Sequence, residues 1–218
     1  MIKKFSITDL LANALKPIHS QLIFQRRLSV LSTTLAKFIP LSSNSSTLTG
    51  LDIGCAAGDL VEKISILRPN VDFSGVDVFS RDKIETRRFL KYQTYDGVHL
   101  PFADRSFSFS MLVDVLHHTD VPKNLLMEAS RVSKDFVLIK DHICNSNLDN
   151  LLLTFMDWAG NKSYGVRLPY NYLSSSEWKT LFYELELEIK DSLNQLKIYN
   201  APISWIFGKK LHFLAKLK

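Results

Sequence analysis

The sequence predicts an α/β fold: a doubly wound, mostly parallel seven-stranded sheet with helices on both faces and an N-terminal helical extension. Two observations lead to this prediction. Strand-like and helix-like segments alternate after residue 47, as they do in sheets whose crossover connections are helices. The chain also has 218 residues, of which 46% are apolar and 22% charged, which is typical of an ordinary globular domain.

The N-terminal part of the chain is predicted to be a separate helical segment. Apolar residues recur with a helical period between Ile18 and Phe38. Pro40 and the serine-rich run that follows it end this pattern, because both disfavour a continued helix. We therefore expect a helical lid and linker over residues 1–46 and one main domain over residues 47–218.

The first half of the main domain is predicted to contain three strands and one helix. Thr47–Ile53 is a short apolar strand that ends in a glycine-rich turn, and Asp59–Leu67 has a helical pattern that stops before a proline. Val71–Val78 alternates like a second strand, and Arg88–Tyr95 is a weaker third.

The second half of the main domain continues the alternation and then becomes less regular. Phe107–Val113 and Asp135–Lys140 are apolar enough for buried strands, and Pro122–Val132 between them has a proline at its start, as many helices do. The remaining predicted elements are the helices Leu148–Gly160 and Ser174–Glu184 and the strands Glu186–Lys190 and Lys210–Lys216.

Charge, cysteines and histidines exclude several classes of site. The chain has 27 basic and 22 acidic residues, and a net charge of +5 is small for a surface that tracks nucleic acid. Cys55 and Cys144 form no CxxC pair. We expect the adjacent His117 and His118 to point apart, so no metal site is predicted.

Targeting segments are not predicted. Asp9, Asn13 and Lys16 interrupt the apolar residues near the N-terminus, and nowhere do about 18 uncharged apolar residues follow one another. We expect a soluble, cytoplasmic protein.

The turn after the first predicted strand carries the most information about function. Gly54 and Gly58 allow the backbone to approach a ligand closely, and Ala56 between them adds little bulk. The spacing does not fit the G-x-G-x-x-G of a dinucleotide site, and the GK[ST] of a phosphate loop is missing. Asp52 and Asp59 would repel a pyrophosphate, so the turn is better suited to a ligand with positive charge.

The end of the second predicted strand carries a matching acid. Asp77 is placed to accept hydrogen bonds from both hydroxyls of a ribose. Val78 and Phe79, which follow it, are placed to pack against a flat base.

These motifs resemble the class I S-adenosylmethionine-dependent methyltransferases, whose fold is Rossmann-like. The family pattern D-x-G-x-G-x-G is present with Ala56 as its one departure. Three further segments are similar in the right order to the small-molecule branch (type 11) near the ubiquinone-biosynthesis methyltransferases. They are Val76-Asp77-Val78, the D-G-x-x-L-P-F-x-D-x-S-F pattern of residues 96–107, and the V-L-H-H pattern of residues 115–118.

The resemblance implies S-adenosylmethionine as cofactor and assigns its contacts. Asp52 and Gly54 would face the methionine portion, with Cys55, Ala56 and Gly58 in the same turn. The other implied contacts are Asp77 with the ribose, Asp96 and Gly97 with the adenine, Asp114 near the methionine end, and Tyr95 or Phe79 against the base.

Methyl transfer to a hydroxyl or an acidic carbon is helped by a base. The candidates are His118 and the pair Asp141 and His142, which follow predicted strands. Histidine titrates near neutral pH, which suits it to this role. Aromatic residues after the fifth strand suggest a lid over an apolar acceptor; they are Phe155, Trp158, Tyr164, Tyr170 and Tyr172, with Asn161 and Asn171 as polar groups.

The leading interpretation is a methyltransferase for a small organic, apolar or lipid-like acceptor, with no nucleic-acid partner. A non-catalytic cofactor-binding subunit of the same fold, which regulates a partner enzyme, is the alternative, and a nicotinamide-dependent oxidoreductase is a third reading. Residues Trp205–Lys218 are expected to include an edge strand with exposed lysines, and transient contact with an anionic membrane is a further hypothesis.

Overall fold

The computed structural model describes residues 23–41, 47–79, 90–162, 166–208 and 210–218. Within these residues seven strands form one sheet in the order β3-β2-β1-β4-β5-β7-β6, with helices packed on both faces. This confirms the predicted fold class. The predicted linker, the start of the third predicted strand and Tyr164 lie outside the described residues.

The strands lie close to their predicted positions, and most of them are short apolar runs ended by a turn. Neighbours among the first five strands are parallel, whereas β7 is antiparallel to both β5 and β6. The strands are β1 Leu48–Ile53, β2 Val71–Asp77, β3 Leu90–Thr94, β4 Phe107–Val113, β5 Ser133–His142, β6 Ile189–Leu193 and β7 His212–Leu217.

Two of the helices begin at serines whose side chains satisfy free backbone N–H groups. The Ser174 hydroxyl accepts from the Glu177 amide, and the Glu177 carboxylate accepts from the Ser174 amide, which forms a capping box. The Ser146 hydroxyl likewise accepts from the Asp149 amide. The helices are α1 Gln25–Phe38, α2 Asp59–Leu67, α3 Pro122–Val132, α4 Asn147–Asn161, α5 Ser175–Glu184 and α6 Ile203–Phe207, with a 3₁₀ turn at Leu116–His118.

Helix α1 packs on α2 and closes one face of the sheet. Its side chains Leu31, Leu35 and Phe38 are buried in the same apolar cluster as Phe73 and Phe109 from the sheet. The other face is covered by α3 and α5. The N-terminal helix therefore shares the core of the sheet domain.

The prediction for the C-terminal segment is wrong in two respects. Trp205–Phe207, the start of the segment expected to hold an edge strand, belong to the short helix α6. Strand β7 lies between β5 and β6, so the edge of the sheet on this side is β6. All residues of β6 are exposed, whereas five of the six residues of β7 are buried.

The strand order places the site. The chain crosses from β3 on one side of β1 to β4 on the other, so the carboxyl ends of β1 and β4 flank the point where the order reverses, and ligands of open α/β sheets bind in the crevice there. In the described part of the chain, no helix is long and apolar enough to cross a membrane.

Candidate functional site

A cavity of about 870 Å³ opens at the carboxyl ends of the parallel strands. It runs from the glycine turn after β1 to the histidines that follow β4 and end β5. Helix α1 contributes Arg27, Leu28 and Leu31 to its wall. All the residues predicted to bind the cofactor, except Gly58, line this one cavity, as do His118 and His142. Asp141 does not.

The turn after β1 requires residues with little bulk. Gly54 has a φ of +74°, and a Cβ added there would lie 2.5 Å from Cγ2 of Val115. Ala56 also adopts a left-handed conformation, with a φ of +49°. Its amide donates a 2.8 Å hydrogen bond to Oδ2 of Asp77, so the turn is tied to the end of β2. Residue 58, the N-cap of α2, needs its glycine, since its φ is +76°.

The rim between β1 and β2 is acidic. Asp52 is buried, and both its burial and the nearby Asp77 raise its pKa well above the ordinary value. In the described part of the chain no arginine or lysine forms an ion pair with Asp52 or Asp77. A cation supplied by a ligand would therefore be attracted to this rim.

The outer end of the cavity combines apolar and polar groups. Val78 and Phe79 are 47% and 43% exposed, although both line the cavity. Oδ1 of Asp96 accepts from the Val98 amide at 2.7 Å and the His99 amide at 2.6 Å, and these bonds, together with the His99 side chain, lower the pKa of Asp96 to about 2. Asp96 is thus a fixed, ionised acceptor beside two exposed apolar side chains.

Asp114, at the end of β4, has partners that the sequence did not reveal. It forms ion pairs with Arg27 from α1 and with Lys140 from β5. Burial opposes its ionisation, but Lys140 and Arg27 outweigh that effect and hold its pKa well below the ordinary value. Its charge is therefore already neutralised within the protein.

His142, at the end of β5, lies beside these charges. Its Nδ1 is 3.0 Å from Nδ1 of His212 on β7, and its Nε2 is 3.6 Å from Asp114. Burial, and then the positive charge of Lys140, lower the pKa of His142 well below the ordinary value. The imidazole of His142 is thus neutral near pH 7 and faces the cavity.

His117 is the centre of a buried polar network. Its Nδ1–H donates to Oδ1 of Asp141 at 2.6 Å, and its Nε2 lies 3.3 Å from Oδ2 of Asp157. Burial alone would lower the pKa of His117, but the two carboxylates raise it to about 10. Asp141 also accepts from the amides of Leu116 and His142, so it acts by positioning these groups.

The expectation that His117 and His118 point apart is wrong. Their ring centroids are 4.1 Å apart, because both residues lie on the 3₁₀ turn that follows β4 and not on an extended strand. His118 Nδ1 lies 3.1 Å from the carbonyl oxygen of Arg167, and burial followed by the charge of His117 lowers the pKa of His118.

The aromatic segment after β5 has divided roles. Tyr172 donates its hydroxyl to Asp157 of α4, and its ring packs against His117 and His142. Phe155 lies on the exposed side of α4, where it stacks with Phe207. Asn161 lines the cavity, whereas the Asn171 side-chain amide donates to the carbonyls of Thr119 and Asp120.

Several residues of the site were not singled out from the sequence. They come from segments far apart in the chain, and only Asp157 lies among residues named from the sequence, between Phe155 and Trp158. They are Arg27, Lys140, Asp157, Tyr199 and His212.

Comparisons with known proteins find similarity to methyltransferases. Residues 51–136 match the family described as "Methyltransferase domain". An uncharacterized protein of Methanocaldococcus jannaschii, MJ1123, is 34% identical over 86 residues, which are 39% of this chain. The matched segment also spans only 39% of the length of that curated relative.

Solved structures share the fold at low sequence identity. A chain from the complex between the Haloferax volcanii Trm112 methyltransferase activator and a methyltransferase has a TM-score of 0.66 at 13% identity, with 98% of this chain and 97% of that chain covered. A SAM-dependent methyltransferase from Aquifex aeolicus has a TM-score of 0.60 at 14% identity, covering 98% of each chain. YcgJ from Bacillus subtilis has a TM-score of 0.59 at 19% identity, with 85% and 94% covered.

The segment 51–136 is thus similar to a methyltransferase domain. The chain shares its fold with solved S-adenosylmethionine-dependent methyltransferases, and S-adenosylmethionine is the cofactor that this similarity implies. The residues present fit such a cofactor. The acidic rim lacks a basic partner in the described residues and suits a sulfonium and an ammonium, while the apolar end beside Asp96 suits a purine.

Proposed function

We propose that the protein transfers a methyl group from S-adenosylmethionine to a small organic acceptor. One observation carries this proposal. A single cavity joins the glycine turn and acidic rim to a second region that contains neutral histidines and apolar side chains. A volume of about 870 Å³ lies within the range of about 300–1,000 Å³ that is common for small-molecule sites.

The cofactor would be held mainly by the ends of β1 and β2. Asp77 would accept from the ribose hydroxyls, since its carboxylate is already oriented by the Ala56 amide. Asp96 and the Gly97 amide would contact the adenine, and Phe79 would pack against its face. Asp52 and Gly54 would contact the methionine portion. Asp114 would act there only as part of its ion pairs with Arg27 and Lys140.

The acceptor would occupy the region under β4, β5 and α4. When bound, S-adenosylmethionine supplies an electrophilic methyl on a cationic sulfur, which leaves as a neutral thioether. The chain would align the acceptor with that methyl and exclude water. We propose His142 as the base for a hydroxyl acceptor, because its neutral imidazole faces the cavity. His118 is the second candidate, and Asp141 would act through His117.

The charge and composition of the cavity support a small acceptor that is not a nucleic acid. Seven aspartates line it, against two arginines, so a phosphate backbone would be repelled. Its acceptor side also contains apolar groups such as Leu28, Met156 and Val166. The aspartates are Asp52, Asp59, Asp77, Asp96, Asp114, Asp120 and Asp157, and the arginines are Arg27 and Arg167.

Non-catalytic regulation of a partner enzyme is the alternative. The Haloferax volcanii neighbour was solved with a methyltransferase activator, so a protein partner is worth testing here. The large acceptor region supports the catalytic proposal, because a subunit that only bound the cofactor would not need it.

Two measurements test the proposal. Calorimetry with S-adenosylhomocysteine should show binding, whereas NAD should not bind. The full chain, incubated with a metabolite extract and methyl-labelled S-adenosylmethionine, should then label a small molecule. Failure of S-adenosylhomocysteine to bind would overturn the cofactor assignment, and binding without any transfer would favour the regulatory alternative.

A further inference from the structure

Three side chains beside the acceptor region of the cavity have the arrangement of a metal site. His117, His118 and Asp157 each place one potential ligand atom within 4.8 Å of the other two. Atoms bound to one zinc ion at about 2.0–2.2 Å are about 3–4 Å apart, so a small movement of the side chains would close the site. His117 and His118 share the 3₁₀ turn, and Asp157 comes from α4.

The hydrogen bonds of the two histidines leave the same ring nitrogen available. His117 Nδ1–H donates to the Asp141 carboxylate, and His118 Nδ1–H donates to the carbonyl of Arg167. Metal-binding histidines usually donate their other N–H to a carboxylate or a carbonyl in this way, which directs the Nε2 lone pair to the ion. The Nε2 of His117 is buried, makes no hydrogen bond of normal geometry in the described structure, and lies 3.3 Å from Oδ2 of Asp157, so a metal ion there would replace its proton.

The third side chain is oriented in a similar manner. The Tyr172 hydroxyl donates to Oδ2 of Asp157, and Asp157 faces the His117 Nε2 across 3.3 Å. Ligating carboxylates are commonly held by such outer hydrogen bonds. Each of the three candidate ligands therefore has a separate group that fixes its direction, namely Asp141, the Arg167 carbonyl and Tyr172.

We propose that His117, His118 and Asp157 bind a divalent transition-metal ion such as Zn²⁺. Two imidazole nitrogens and one carboxylate oxygen suit zinc or iron better than Mg²⁺ or Ca²⁺, which prefer oxygen ligands alone. His118 and Asp157 line the cavity, so the remaining coordination positions face it and can take water or an acceptor atom. In a second group, His117, Asp141 and His142, all three residues are buried and only His142 lines the cavity.

The role of the ion rests on the proposed function, because it would bind an oxygen or nitrogen of the acceptor in the same cavity. Binding of the ion does not rest on that function, because it can be measured with neither cofactor nor acceptor present. A protonated His117 held between Asp141 and Asp157 is the competing explanation of the cluster, and it predicts no uptake of zinc.

The test is zinc titration of the full chain after removal of metals with a chelator. Calorimetry should show one equivalent of Zn²⁺ and no binding of Mg²⁺, and Co²⁺ should give the visible absorption of a site with nitrogen ligands. His118→Gln and Asp157→Asn should each weaken zinc binding by more than about 100-fold, since even outer partners contribute about 10–100-fold. His99→Gln, which changes an exposed histidine, is the matched control and should bind zinc normally.

The outcomes separate the two proposals. No uptake by the unchanged chain, or equal uptake by His118→Gln, Asp157→Asn and His99→Gln, would overturn the metal site. S-adenosylhomocysteine is titrated into the same samples. Its binding without zinc uptake would overturn only the metal site, and zinc uptake without its binding would overturn only the methyltransferase proposal.

Discussion

On the β1–β2 side of the cavity, the carboxylates of Asp52 and Asp77 lie near each other without a basic partner in the described residues. On the β4–β5 side, by contrast, Asp114 forms ion pairs with both Arg27 and Lys140. The first side carries an unbalanced negative charge that a cationic ligand can neutralise. The second side balances its own charges before any ligand binds. We therefore expect the substitution of a carboxylate on the β1–β2 side to change mainly ligand affinity. The substitution of a carboxylate on the β4–β5 side should change mainly the stability of the fold.

Asp114→Asn is expected to have the largest effect on folding. It keeps the shape of the side chain and suits the positive φ at this position, but it leaves Arg27 and Lys140 without their carboxylate. Breaking a buried ion pair in this way costs about 3–5 kcal/mol. Thermal or urea unfolding checks the value, and Asp104→Asn, which alters an exposed ion pair, should cost less than about 1 kcal/mol.

The same substitution has a defined pH dependence. The pKa of Asp114 is lower in the folded protein than in the unfolded chain, so its stabilising effect is present above the ordinary pKa and disappears as the pH falls through the folded value. The unfolding free energies of the unchanged chain and Asp114→Asn should therefore converge in acid. A constant difference down to the lowest pH at which both fold would contradict the charge balance described here.

Asp77→Asn should act on affinity and leave the fold intact. The amide oxygen can still accept from the Ala56 amide, but the charge that would strengthen the proposed hydrogen bonds to the ribose is lost. A hydrogen bond to a charged group contributes about 1.5–3 kcal/mol, so the Kd for S-adenosylhomocysteine should rise roughly 10- to 100-fold. Calorimetry measures the change, with Asp72→Asn on the exposed side of β2 as control. If Asp77→Asn and the unchanged chain bound S-adenosylhomocysteine with the same Kd, the assignment of Asp77 to the ribose would be wrong.

Gly54→Ala tests the close packing of the turn. The added methyl would meet Val115, and the φ of +74° would be strained for alanine. We expect a loss of about 1–3 kcal/mol in unfolding free energy. In a Val115→Ala background the loss should be smaller, because only the backbone strain would remain. A loss that is unchanged in that background would show that the contact with Val115 carries none of the cost.

Asp52→Asn should have the smallest effect and the opposite sign. Its pKa is raised in the folded protein, so the ionised form opposes folding at neutral pH, and removing the charge should stabilise the protein without cofactor on the order of 1 kcal/mol. The gain should vanish as the pH falls toward the ordinary pKa of about 4, where the carboxyl is neutral in both states. Denaturant unfolding at pH 7 and in acid checks this, and the same variant should bind S-adenosylhomocysteine less tightly.

The two sides of the cavity also differ in how well the sequence predicted them. The glycine turn and Asp52 lie within a few positions of each other, and Asp77 ends the next strand, so local spacing was sufficient to place them together. Arg27, Asp114 and Lys140 belong to three separate elements, and their charges complement each other only after the sheet has formed. No local pattern records such a pairing.

Strand positions and strand order show a similar contrast. The apolar pattern located β7 within two residues, but it could not show that β7 lies between β5 and β6, because neighbours in a sheet are set by tertiary packing. The wrong orientation of His117 and His118 has a related cause. Adjacent side chains point apart in an extended strand, whereas the turn after β4 is a tight 3₁₀ turn.

The insertion of β7 between β5 and β6 has a consequence for synthesis of the protein. Residues Ile189–Leu193 leave the ribosome before β7, the strand that pairs with them. The position beside β5 is also empty until β7 has been made. His212, which contacts His142, arrives with that late strand. A nascent chain can therefore assemble the β1–β2 half of the cavity early, whereas the opposite half is completed only when β7 has been translated.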